Sequence, residues 1–277
     1  MTAPFASTSV ATSNIGPGFG ALLHSEWTKL RSIRSTWIMV SLAIGLSIAF
    51  SALIALVTGL TFDSLSVSVQ DAFDPVLTTM SGWLFGMVFV IVLGVTSVTS
   101  EYSSKMIRTT FIVNPQRNRV FAAKATVVGL LGMAISAIAI PGMFLVSQPI
   151  YSHYGLETAS VTDNDAVRLL IAGGLLQGLM CALIPFSIAW ILRSGASAIS
   201  VSIGLFFLPW MLASIVPLWV QENVLRYLPD AAKDSLIGMM KTSDSTYLAQ
   251  TPAIFVVIIW IAGALAAASI VLNRRDV

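Results

Sequence analysis

The chain has 277 residues, of which 56% are hydrophobic and only 10% charged, and its net charge is +2. Soluble domains carry roughly 25% charged residues, so this composition excludes an ordinary soluble enzyme, and no nucleic acid partner is expected. A single cysteine, Cys181, excludes an intrachain disulfide, and two histidines, His24 and His153, fall on opposite sides of the predicted membrane and leave no His/Cys metal site.

Residues 1–18 are rich in Ser, Thr, Gly and Pro, with no apolar run and no positive start, and read as a flexible tail rather than a secretory signal. The stretch Asn14 to Gly20 superficially suggests a glycine-rich phosphate loop. It follows no strand and no Lys-Ser/Thr pair follows it, so nucleotide binding is not expected there. Residues 19–36 place Phe19, Leu22, Leu23, Trp27, Leu30 and Ile33 on one side and His24, Ser25, Thr28, Arg31 and Ser32 on the other. That pattern predicts an amphipathic helix in the membrane interface. Glu26 and Arg34 intrude on its apolar flank. Either both reach up to the headgroups, or Glu26 pairs with a basic residue of a docked partner or of the next cytoplasmic loop.

Six apolar stretches without Asp, Glu, Lys or Arg follow, at about 37–60, 77–99, 125–147, 169–192, 196–219 and 252–272. A helix rises about 1.5 Å per residue and a bilayer core is about 30 Å thick, so each is long enough to cross. Backbone groups in lipid must be satisfied internally, and the runs lack the alternating polarity of barrel strands, so the spans are predicted as helices. The fold class is therefore an all-α integral membrane protein, with residues 19–277 forming one six-helix domain. Eleven Lys and Arg lie on the side shared by both termini and four on the other. The positive-inside rule makes the basic side cytoplasmic.

Between spans 2 and 3, Ser100 is expected to cap a short helix with Glu101 in its first turn and Lys105 at i+4. Met106, Thr110 and Val113 continue one face. Asn114 then caps the next helix, with Pro115 at its first position. This loop reads either as an orientation signal in contact with lipid headgroups or as a docking element for a soluble partner. Small residues recur at four-residue spacing in span 2 (Gly82, Gly86), span 4 (Gly174, Gly178, Ala182) and span 5 (Ala196, Ser200, Gly204), and permit close helix approach. Pro141, Pro185, Pro209 and Pro217 are expected to kink or end their spans. Gln177 is the most polar residue deep in a span, read as an interhelical hydrogen bond or a cargo contact. The outer loop 220–251 contains an amphipathic stretch, Ala231 to Met240, which would either close the outer end of a pathway or rest on the outer leaflet. No H-E-x-x-H, G-x-S-x-G or Walker A motif is present, and no ionisable group occurs mid-span, which argues against a proton- or sodium-coupled carrier.

The string Ser25-Glu26-Trp27-Thr28-Lys29-Leu30-Arg31-Ser32 resembles the opening of type-2 ABC exporter permeases, particularly actinobacterial ones. Ser100-Glu101-Tyr102, Ile107-Arg108-Thr109-Thr110, Asn114-Pro115-Gln116-Arg117 and Ala123-Lys124 are similar to their first cytoplasmic loop. The resemblance implies the permease of an ATP-driven exporter in the cell membrane, with both termini cytoplasmic. It further implies a dimer of permease chains, homo- or heterodimeric, coupled to a separate ATP-binding subunit that carries the ATP and magnesium. This chain itself would hold no catalytic residue, cofactor or metal. The resemblance places the coupling lever at Glu101, Tyr102, Lys105, Met106 and Arg108, and a second contact at Glu26 and Lys29. Uncharged spans favour an amphiphilic cargo such as a drug, peptide antibiotic or lipid, with Gln177, Trp83, Phe85 and Phe89 as candidate pathway residues. Two other readings stand beside it. A membrane-embedded enzyme would need converging acids or histidines. An ATP-independent scaffold or immunity protein binding a membrane-active peptide would need no ATPase.

Overall fold

In the computed structural model, which describes residues 18–275, every regular element is helical and six helices are long and apolar enough to cross a bilayer. The expected tail lies, but for Gly18, outside the described residues. Helix α1 spans Phe19–Ser32 and α2 spans Arg34–Thr61. The expected single helix over 19–36 is thus broken at Ile33, whose extended backbone (φ −90°, ψ 116°) turns the chain from α1 into the first span. Two short helices, α3 (Val67–Asp71) and α4 (Pro75–Thr79), lead into α5 (Trp83–Ser103). Asp74 caps α4 with its Oδ1 accepting from the Val76 and Leu77 amides at 3.0 and 3.1 Å, and Pro75 stands at the first helical position.

Helix α6 (Met106–Val113) precedes the long α7 (Arg117–His153). Here the sequence expectation needs correction. Ser100 does not cap the short helix; α5 continues through Ser103, and the break comes at Lys105, which adopts a left-handed conformation (φ 58°). Glu101 therefore belongs to the last turn of the second span. Pro115 is not the first residue of the next helix either: Asn114 Oδ1 accepts from the Gln116 amide at 3.2 Å and α7 starts at Arg117. Pro141 and Pro149 lie inside α7 without ending it.

A short α8 (Asn164–Arg168) runs through a π-turn at Leu169–Gly173 into α9 (Gly174–Leu192), followed by α10 (Gly195–Ala213), α11 (Leu218–Asn223), α12 (Pro229–Ile237) and α13 (Gln250–Arg274). The fifth span is shorter than expected, ending at Ala213, and Pro217 instead precedes α11. The amphipathic stretch of the last outer loop is the nine-residue α12, begun by Pro229 and stopped by Gly238 (φ 88°).

Helix α9 is the centre of the bundle, packed by α5, α7, α10 and α13. Its closest neighbour is α7, because a Cβ on Gly178 would overlap the Gly132 carbonyl. Ser136 of α7 reinforces that crossing. Its hydroxyl donates to the Gly174 carbonyl at 2.7 Å and accepts from the Gly178 amide at 3.0 Å, bridging an i, i−4 pair just after the π-turn. At the end away from the termini, Thr79, Ser147 and Gln148 form a buried hydrogen-bonded group that ties α4, α7 and the following loop together. Helices α2, α10 and α13 are thinly covered and leave broad apolar faces for lipid or another chain.

Candidate functional site

Two clusters of buried charge stand out, one at each end of the bundle. At the end shared by the described termini, Lys124 in the second turn of α7 is 4% exposed. Its Nζ meets Glu26 Oε2 of α1 at 2.6 Å, Glu101 Oε1 of α5 at 2.8 Å and the Ser97 carbonyl at 3.4 Å. Lys29 Nζ joins the same carboxylates, at 2.7 Å from Glu26 Oε1 and 3.1 Å from Glu101 Oε1. Two lysines and two glutamates make the cluster formally neutral. Burial works to raise the Glu26 carboxyl, but Lys124 and Lys29 outweigh it and hold Glu26 below its ordinary range. Its contribution to stability is therefore present above the ordinary carboxylate pKa and is lost only as the pH falls through the lowered value. Of the two readings for Glu26, the pairing with a basic residue of the following loop is the one observed, and that residue is Lys124.

Helix α6 projects beyond this cluster. Ile107 is buried beneath it, whereas Met106 (53% exposed), Arg108, Thr109 and Ile112 (82% exposed) face outward. The segments on either side of it contact the body. Tyr102 packs edge-on against Trp190 at 5.7 Å and under the Arg193 guanidinium at 5.2 Å. At the other end Arg117 stacks on Phe111 and donates to the Leu272 and Arg275 carbonyls at 3.3 Å.

This geometry is a membrane bundle with an exposed helix packed at its basic end, and a sequence model of ABC-2 family transporter proteins matches residues 22–222. The chain belongs to the ABC-2 transporter family. No curated protein and no solved structure matches it. Family membership makes it a multi-pass permease, the transport component rather than the catalytic component of an ABC transporter, and implies an ABC ATP-binding partner.

The seven coupling residues expected in this permease divide into two groups. Glu26, Lys29 and Glu101 converge on one another through Lys124, and Tyr102 is half-buried against α9. Lys105, Met106 and Arg108 are exposed. Lys124 was legible only as a loop charge, because nothing in its neighbours tells that α7 turns it inward. Among the expected pathway residues, Gln177 is 1% exposed, Trp83 is in the core, Phe85 stacks on Phe50 and Phe89 is partly buried.

Gln177 marks the second cluster, which the sequence concealed. Lys233 of α12 is 2% exposed, and its Nζ donates to Gln177 Oε1 at 2.6 Å and to Asp230 Oδ1 at 2.7 Å, with Asp234 Oδ1 3.0 Å away. Arg168 donates to the Ser235 and Leu236 carbonyls at 2.8 Å, closing the end of α12. The spans themselves carry no mid-membrane charge, as expected, but the loop folds a lysine back onto one of them. Burial pushes the Asp234 carboxyl up to about 7, with nearby Asp230 adding to it and Lys233 opposing; the same two aspartates hold Lys233 above its ordinary range despite burial. Two carboxylates share one lysine here, so the cluster favours holding one proton.

The sign follows. A carboxyl whose seated pKa lies above its free value binds a proton that the detached helix would release, so seating weakens as pH rises from about 4 through about 7. Amide exchange in α12, corrected for the intrinsic pH effect, should therefore be slower at pH 5.5 than at pH 8. Asp234→Asn should remove that difference; equal protection at the two pH values in the unmodified protein would refute it.

Proposed function

We propose that this permease forms, as a dimer, the pathway of an ATP-driven exporter in the cell membrane, with its basic end cytoplasmic and an amphiphilic cargo. The observation that carries the coupling part is the buried ion cluster of Glu26, Lys29, Glu101 and Lys124, which joins α1, α5 and α7 into one unit beneath α6. A lever transmits force only if its mount does not yield, and buried charges whose separation costs several kcal/mol supply such a mount. On this reading Lys105, Met106 and Arg108 touch the ATP-binding subunit, which holds the ATP and magnesium. Glu26, Lys29, Glu101 and Tyr102 serve coupling from behind, by fixing α1 and α6 to the spans. The partner's ATP-loaded form would bind one conformer of the permease more tightly and so shift its population.

The uncharged middles of the spans favour an amphiphilic cargo. Phe85 and Phe89 are the aromatic candidates nearest an exposed surface, while Gln177 and Trp83 would reach cargo only in another conformation.

The test is co-purification of the tagged permease with ATPase subunits from its own cell, followed by ATPase assay in lipid. Met106→Ala with Arg108→Ala should weaken association roughly tenfold, as truncation of central interface residues does, and leave the melting temperature of the permease alone unchanged. Recovery of the permease without any ATPase under mild detergent would overturn the coupled-exporter reading and leave an ATP-independent scaffold.

A further inference from the structure

A half-open cavity of about 480 Å³ lies at the basic end, bordered by α1, α2, α5, α7 and the start of α6. That is within the size range of small-molecule sites. Its walls divide by chemistry. Met39, Leu93 and Val127 form an apolar side that runs along the spans. Ser35, Thr36 and Ser100 supply hydroxyls, and exposed Ser32, Ile33 and Met106 also line it. Glu26, Lys29, Glu101 and Lys124 form the charged part.

The hydrogen-bond account of the ion cluster leaves one group of each sign over. Lys124 is fully used, with three acceptors for three hydrogens. Lys29 uses two of its three hydrogens, on Glu26 and Glu101, and is a third exposed. Glu101 receives both lysines on Oε1, while its buried Oε2 has no donor. A buried carboxylate oxygen without a partner carries a desolvation cost that a bound donor would remove. The last torsion of a glutamate is soft, so a small rotation turns Oε2 to an incoming group.

We propose that this cavity binds a membrane lipid with a phosphoethanolamine headgroup from the adjoining leaflet. Its ammonium donates to Glu101 Oε2, its phosphate accepts from Lys29 and the neighbouring hydroxyls, and its acyl chains begin along Met39, Leu93 and Val127. An ammonium with N–H hydrogens is required, because a quaternary choline has no hydrogen to give to Oε2. An apolar wall is required as well, which distinguishes a lipid from a free headgroup. The site lies within one permease chain and needs neither a second copy nor the ATP-binding partner, so its test is independent of the coupling reading.

The purified permease, with any subunits that accompany it, is titrated by native mass spectrometry with phosphatidylethanolamine, phosphatidylcholine of identical acyl chains, and free O-phosphoethanolamine. Phosphatidylethanolamine should bind roughly tenfold more tightly than phosphatidylcholine, the effect of one charge-assisted hydrogen bond, and the free headgroup should not bind at millimolar concentration. Thr96→Phe, which projects into the cavity from α5 while leaving the ion cluster intact, should abolish the preference without lowering the lipid-free melting temperature. Glu101→Gln should reduce it as well. Equal binding of the two lipids, or a preference that survives Thr96→Phe, would overturn the site. Tight binding of free O-phosphoethanolamine would overturn the lipid as its ligand.

Discussion

Replacing Lys124 by methionine is expected to destabilise the permease by about 3–5 kcal/mol, the cost of leaving buried charge without its partner. The side chain lies between Glu26 and Glu101, both buried, and the remaining cation, Lys29, is too exposed to neutralise two carboxylates out of water. The measurement is the melting temperature and the monodisperse yield in detergent. Two comparisons make the result specific. Lys29→Met should cost less than about 1 kcal/mol, because a pair with one partner a third exposed is screened by solvent. Combining Lys124→Met with Glu26→Gln and Glu101→Gln should recover most of the loss, since no unpaired charge then remains buried. If Lys124→Met behaved like Lys29→Met, the cluster would not be the mount of α1 and α6 on the bundle.

Gly178→Ala should be nearly as damaging, while Gly174→Ala, one turn earlier in the same small-residue motif, should be tolerated. A methyl at 178 would overlap the Gly132 backbone carbonyl of α7 and press on the Ser136 hydroxyl, and backbone does not move aside as a side-chain tip does. A methyl at 174 meets only the Ala137 Cα at an ordinary 3.5 Å. Overpacking in a well-filled core costs about 1–3 kcal/mol, and the collision with backbone puts Gly178→Ala at the upper end. Thermal melting of the two variants side by side decides it; equal loss for both would mean that α7 and α9 do not cross at Gly132.

The contrast between Gly174 and Gly178 shows where reading of the sequence stops. The four-residue spacing announces that some face of the fourth span is smooth, and that much was legible. Which glycine meets a neighbour depends on the rotation of α9 and on which of its turns faces Gly132 and Ser136 of α7. Glu26 is a similar case. A carboxylate on the apolar flank of an amphipathic helix signalled a partner, but that partner is 98 residues further along the chain. Asp230, Lys233 and Asp234 gave no signal at all: in a polar loop, three charges read as solvated, and only the return of α12 onto α9 beside Gln177 buries Lys233 between the two half-buried aspartates.

By itself the sequence determined the class of the protein, its six spans and the grouping of basic residues at one end. These are local properties: a bilayer has a fixed thickness, and it accepts about 20 uncharged residues in a helix whatever surrounds them. The tertiary structure alone decided that α5 runs on past Ser100 to Ser103, that Lys124 turns inward to hold two glutamates, and that Lys233 is buried against a span. Each of those depends on which faces of separate helices meet, and that is set by the packing of side chains far apart in the chain, for which no window of sequence carries the register.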